Sequence, residues 1–220
     1  MAPRGFQSPR RLAQISIALL SLVLALDVAN IVSYLMQVGL LEQIAAGQSI
    51  DQAVGESNDA RIEALTLIYN VALLPAAIAF LTWFHRLYSN LRPITDEPVL
   101  HSPGWAVGSF FVPFINLVMP YQLMRHAWSH NAPPSERDRA PLLGCWWGAW
   151  VLRLVASRVA AVYTEMAGED IHRLIAMTWL HIASGVISVA AAVLAILVVK
   201  RQTDHQIARA SSGTVADVFG

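Results

Sequence analysis

Two charged side chains interrupt long apolar runs: Asp27 in LLSLVLALDVANIVSYL and Arg153 in GAWVLRLVAS. A lone charge at the centre of a bilayer costs at least ~2.5–3.5 kcal/mol on insertion scales. The economical expectation is that the two face each other, with Asn30 and Asn70 nearby. Further polar residues recur at helical spacing. Asp27, Asn30, Tyr34 and Gln37 form one stripe; Glu63, Thr66 and Asn70 a second; Arg153 and Ser157 a third; Thr178, His181, Gly185 and Ser188 a fourth. Such spacings put each set on one side of its helix. Arg158 lies about 140° around a helix from Arg153, so it is expected to point elsewhere. Two readings stay open. The stripes can enclose an outward-open polar cavity that binds or passes a small polar or ionic solute. They can equally be interhelical glue, hydrogen bonds averaging ~0.6 kcal/mol that fix helix register.

Other chemistry is thinly represented. His126 and His130 stand at i, i+4, the spacing of helical metal sites. No glutamate completes an H-E-x-x-H arrangement, which argues against a zinc hydrolase and leaves wet interfacial histidines beside a metal or haem site. The single cysteine, Cys145, allows neither an intrachain disulfide nor a thiolate cluster. No Ser/His/Asp set, carboxylate pair or nucleotide-binding glycine loop is present. The expectation is therefore no enzyme activity, no catalytic or metal-ligating residue and no cofactor. Fifteen basic and fifteen acidic residues cancel, which gives no footprint for nucleic acid. The partners to expect are membrane lipid, other membrane proteins or a second copy of the chain.

The elements that must position these residues are long apolar helices. Hydrophobic residues make up 55% of the 220 and charged ones 14%, against about 25% in soluble domains. A span needs roughly 20 mostly apolar residues. Four stretches qualify, at about 12–41, 62–84, 142–163 and 174–199. The first follows Arg4, Arg10 and Arg11, but its apolar run is far longer than a signal peptide's, so it reads as an uncleaved anchor.

A fifth stretch, 105–124, is decided by counting Lys and Arg. If it does not cross, one side holds Arg4, Arg10, Arg11, Arg86, Arg92, Arg125, Arg137, Arg139, Lys200, Arg201 and Arg209, and the other only Arg61 and Arg173. If it crosses, the split is six against seven. The positive-inside rule prefers the first arrangement. The fold expected is an all-α integral membrane bundle of four spans with both termini cytoplasmic. Residues 1–11 form the N-terminus, 12–201 the membrane domain and 202–220 a flexible polar tail. Residues 42–61 and 165–173 are short acidic outer loops, and 131–140 is a polar cytoplasmic link.

Between spans two and three, 105–128 is expected to return to the side it left, as a re-entrant or interfacial hairpin. Pro113 and Pro120 each lack an N–H and bias Val112 and Met119 toward extended backbone. Two pieces at an angle follow, and Asn116 is the side chain at hand to serve the carbonyls so freed. Six of seven tryptophans fall between Trp83 and Trp150, which reads as an aromatic belt or as a platform for lipid or a partner helix. Ser184, Ser188 and Ala192 form a small-residue ridge that permits close helix approach.

FLTWFHRLYSNLRP at 80–93, followed by SPGWAVGSFFVPFINLVMPYQLM at 102–124, resembles the bacterial membrane family catalogued as domain of unknown function 4328. The matching positions include Trp83, Arg86, Asn90, Pro103, Trp105, Pro113, Asn116 and Pro120, with Leu91 and Leu117. The resemblance implies a bacterial inner-membrane protein with a similar four-span layout, and no catalytic residue. The reading that results is a non-catalytic structural or interaction component of that membrane. The alternative is a small transporter or channel with a polar cavity around Asp27 and Arg153.

The charge count carries its own test. A reporter active only outside the cytoplasm is expected to be silent when fused after Gly220 and active when inserted at Gly47. The reverse pattern rejects the orientation.

Overall fold

The computed structural model describes residues 5–95, 99–168 and 170–219. Arg4 of the charge count, Glu169 of the second outer loop and Gly220 lie outside the described residues. Four long helices dominate: α1 (Arg10–Ala45), α2 (Gln52–Ser89), α6 (Pro141–Ala167) and α7 (Ile171–Phe219). Three short ones, α3 (Leu91–Ile94), α4 (Trp105–Gly108) and α5 (Met119–Asn131), fall between α2 and α6. No strand occurs among the described residues.

The loops are shorter than the sequence suggests because acidic residues start helices inside them. Asp51 accepts the Ala53 N–H at 2.9 Å and opens α2. Asp170 accepts the Arg173 N–H at 3.0 Å and opens α7. Each satisfies one donor that a first helical turn leaves unpaired. The Arg173 amide, helped by the neighbouring His172 amide and both side-chain charges, holds the Asp170 carboxyl below the usual carboxylate range.

Three helices are long and apolar enough to cross a membrane: Arg10–Ala45, the run Gln52–Ile94, and Ile171–Ser212. The stretch expected as the third span lies in α6. At 27 residues α6 is long enough, since about 20 suffice, but Arg153 and Arg158 interrupt its apolar surface and it is not one of the three.

The chain divides into two compact units. Unit A comprises Met1–Leu20, Pro75–Trp147 and Leu194–Gly220; unit B comprises Ser21–Leu74 and Gly148–Val193. In unit A, Trp83, Phe84, Leu87, Tyr88 and Leu91 recur at three- and four-residue intervals and are all buried. Leu123 and Met124 of α5, Leu143 of α6 and Val198 and Val199 of α7 complete this core.

The same unit holds the two main departures from expectation. The stretch from Gln202, expected as a flexible tail, continues α7 to Phe219, and Gln202, Thr203 and Gln206 are buried. Trp83 Nε1 donates to Thr203 Oγ1 at 2.9 Å, and Gln202 Nε2 donates to the Met124 carbonyl at 3.1 Å. Gln206 Nε2 donates to the Leu87 carbonyl at 2.8 Å, and its Oε1 accepts from Asn90 Nδ2 at 2.9 Å. Polar composition signalled solvation, whereas these amides donate to other helices; only Gln202 Oε1 is buried without a partner among these groups.

The broken segment differs as well. It comprises α4, a turn through Phe114, a 3-10 turn at Ile115–Leu117, and α5. Pro120 sits in the first turn of α5, where a missing N–H is harmless, so it starts a helix rather than bending one. The turn between the pieces includes Phe114, whose φ of 64° is sterically unfavourable for a residue with a Cβ. Asn116 is not the donor that serves the carbonyls here: Trp147 Nε1 donates to the Leu117 carbonyl at 3.0 Å. Phe111 and Phe114 at this tip are 71% and 86% exposed.

Unit B is built the other way round. Leu22, Val28 and Val32 of α1, Leu67 and Val71 of α2, Val155 of α6 and Val186 of α7 are exposed, while Asp27, Ser33, Asn58, Thr178 and Ser188 are buried. Large exposed apolar faces are rare on soluble monomers and suit a lipid surround. Arg61 ties α2 to α1, through Nε to Ser33 Oγ at 2.9 Å and Nη2 to Asn58 Oδ1 at 2.6 Å within its own helix.

Helix α7 meets α1 closely at Gly185, which belongs to the polar stripe and not to the small-residue ridge. A Cβ on Gly185 would lie 2.8 Å from Cγ1 of Ile31. Gly185→Val is therefore expected to lower stability by about 1–3 kcal/mol, the usual cost of overpacking. Thermal unfolding in detergent measures it; an unchanged midpoint means the two helices are farther apart.

Candidate functional site

All four long helices present polar residues to one partly open cavity in unit B, with a volume of about 250 Å³. α1 contributes Asp27, Asn30, Ile31 and Tyr34; α2 Thr66, Tyr69 and Asn70; α6 Arg153 and Ser157; α7 His181, Ser184, Gly185 and Ser188. The helical periodicity behind each stripe is what delivers them to one side.

Asp27 and Arg153 do come to one cluster, but through intermediaries. Ser188 Oγ donates to Asp27 Oδ2 at 2.9 Å and accepts from Arg153 Nε at 3.0 Å. Arg153 Nη2 donates to the Tyr69 hydroxyl at 2.8 Å. Arg153 and Tyr69 both act on the Asp27 carboxylate. The expected direct ion pair is thus a serine-bridged one. A hydroxyl can donate one way and accept the other, so Ser188 serves both charges at once. Asp27 is 5% exposed, whereas Arg153 is half-buried and faces the cavity. A guanidinium carries five N–H groups. Two are bonded here, which leaves three available to an acceptor in the cavity.

The remaining expected residues divide. Asn30 Nδ2 donates to the Leu26 carbonyl of its own helix at 2.9 Å. Asn70 lines the cavity and is exposed. His181 stacks on Tyr34 with ring centroids 5.1 Å apart. Its Nε2 lies 3.1 Å from Thr164 Oγ1, which itself donates to the Ala160 carbonyl at 2.8 Å. With the threonine's one proton so committed, Nε2 carries the hydrogen and Nδ1 of the neutral ring is an acceptor. Arg158, a sixth candidate for the intramembrane cluster beside Asp27, Asn30, Asn70, Arg153 and His181, does not join it: it is exposed and does not line the cavity, since about 140° of helix separates it from Arg153. Glu63 and Gln37 do not line it. Tyr69 was missed by sequence reasoning, although it stands three residues after Thr66, and a tyrosine in an apolar helix passes for a core aromatic.

The family-motif positions fall in unit A. Trp83 and Asn90 are buried and anchor α7. Asn90 Nδ2 also donates to the Gln7 carbonyl at 2.8 Å, and its Oδ1 accepts the Gln7 N–H at 3.2 Å. The Arg86 and Pro103 carbonyls accept backbone N–H groups from Asn90 and Ala106. Trp105 is partly exposed. The rings of His126 and His130 lie with centroids 4.3 Å apart, tilted by 56° to each other. Among the described residues no group of three or more His, Cys, Asp or Glu is placed to hold a metal ion.

The fold and site define an all-helical protein with three helices long and apolar enough to cross a membrane, enclosing polar side chains. The family model for the domain of unknown function DUF4328 matches residues 46–204, and the chain belongs to that family. No curated protein and no solved structure matches the chain.

Removing one member of a buried charge cluster typically costs ~3–5 kcal/mol because the other is left unpaired. Asp27→Ala is expected to lose stability on that scale, and Ser188→Ala by about 1–3 kcal/mol for the unsatisfied groups it leaves. Asp27→Leu combined with Arg153→Leu should recover much of the loss. Thermal unfolding of the four proteins in one detergent is the measurement. Harmless single changes would reject the bridge.

Proposed function

We propose that this is a non-catalytic, four-span protein of the bacterial inner membrane that admits a small polar solute to the unit B cavity. In this reading α6 also crosses, as the third of four spans, and both termini are cytoplasmic. The segment from α4 to α5 returns to the cytoplasmic face, and its exposed Phe111 and Phe114 dip into lipid. The eleven-to-two distribution of Lys and Arg supports the orientation. The serine-bridged cluster supports α6 as a span, because it answers the charge of Arg153 at membrane depth.

One observation carries the solute reading: polar side chains from four apolar helices line a common space of about 250 Å³ instead of closing on one another. Asp27 and Arg153 together add no net charge. The free N–H groups of Arg153 and the Nδ1 acceptor of His181 suit a neutral or zwitterionic solute with both donors and acceptors. A second reading, a structural or interaction component, is favoured by the tight Gly185–Ile31 approach.

Wetness separates the two. In a Cys145→Ser background, Ser184→Cys and Asn70→Cys are expected to react with a membrane-impermeant methanethiosulfonate added outside, since a thiol reacts as the thiolate, which needs water. Leu67→Cys, on the exposed apolar face, should stay inert. Inert thiols at both cavity positions would leave the structural reading standing.

A further inference from the structure

A second cavity, in unit A, has a different chemistry. Its volume is about 550 Å³. Its apolar lining comes from Trp128 of α5, Pro141 and Leu142 at the start of α6, and Leu197 of α7. Its cationic lining is Arg139, Lys200 and Arg201. Two acids also line it, Glu136 and Asp204, so the cavity holds one net positive charge. Glu136 is occupied by Arg201, at 2.9 and 3.1 Å, and faces His205 at 3.5 Å. Asp204, four residues after Lys200, is exposed and offsets one of the remaining two cations, which leaves one in excess. Arg139 and Lys200 are exposed and form no ion pair among the described residues.

The position of these residues in the chain matters. Lys200 follows immediately on the apolar stretch LAILVV of α7, and Arg139 stands two residues before α6. Leu142 and Leu197 each stand three residues from a cation, Arg139 and Lys200. A soluble anion needs the cations but has no use for the leucines. A zwitterionic lipid can use the leucines but brings its own cation. A phosphodiester with acyl chains and no compensating amine satisfies both linings.

We propose that the unit A cavity binds an anionic glycerophospholipid, with its phosphate between Arg139 and Lys200 and an acyl chain along Leu142 and Leu197. Arg201, fixed by Glu136, forms the wall behind the phosphate.

The test is competition on the full-length protein in detergent, read by native mass spectrometry. With equimolar phosphatidylglycerol and phosphatidylcholine, the wild type is expected to retain phosphatidylglycerol preferentially. Arg139→Gln with Lys200→Gln should remove roughly thirtyfold of that preference, about fivefold for each cation near an anionic headgroup. Its unfolding temperature without lipid should stay unchanged, because neither side chain is paired. Equal retention of the two lipids by the wild type overturns the proposal, whatever the variant does. Displacement of phosphatidylglycerol by millimolar inorganic phosphate also overturns it and points to a soluble anion. Unaltered preference in the double variant rejects the assignment of the two cations.

Discussion

A polar side chain on a helix of membrane length has no water to fall back on, so it must be answered by another part of the protein. That constraint organises both compact units. In unit B a carboxylate, a hydroxyl, a guanidinium and a phenol are joined in one chain of bonds from Asp27 through Ser188 and Arg153 to Tyr69. In unit A the side-chain amides of Asn90, Gln202 and Gln206 do the same work without charge. Each set draws on several helices. Helix register is fixed where the bonds are made, since a slip of one residue turns every partner about 100° away.

The two solutions differ in what they leave over. The amides of unit A are directed at backbone carbonyls and at each other, and they pack with Trp83, Phe84 and Tyr88 in a core that resembles a soluble interior. The unit B cluster is satisfied on the carboxylate side and incomplete on the guanidinium side. Asp27 is buried, while Arg153 is half-buried and lines the cavity. Gly185 sharpens the contrast: it lines the same cavity yet lets α1 approach to contact. Tight packing and an open polar space therefore share one stretch of α7.

Helix α7 illustrates how one element changes role along its length. Its early turns supply His181, Ser184 and Ser188 to the unit B cavity, and its apolar middle is of span quality. Beyond Lys200 and Arg201 it turns a polar face inward, where Trp83 holds Thr203 and Asn90 holds Gln206. The family motif, centred on Trp83 and Asn90, thus reads in this structure as the anchor of α7. Its second half, around Pro113 and Pro120, includes the turn at Phe114 and the start of α5.

Much of this was legible from residue order alone. Hydropathy and the 3.6-residue repeat located the long helices and the polar stripes, because both depend only on local spacing. The mid-helix positions of Asp27 and Arg153 signalled a shared cluster, because an isolated charge there is too costly. The motif around Trp83 and Asn90 identified the family. Other features depended on which helix lies beside which. Nothing in ALTLIYN distinguishes Tyr69 as a partner of Arg153, and nothing in GVISVAA marks Ser188 as a bridge. The polar run from Gln202 looks like a solvated tail, and only the neighbouring carbonyls of Leu87 and Met124 make it a buried helix. Asn116 offered the right chemistry for the broken segment, yet Trp147 occupies that place. Periodicity fixes the direction a side chain leaves its own helix; the partner it meets is set by long-range packing, which no local spacing encodes.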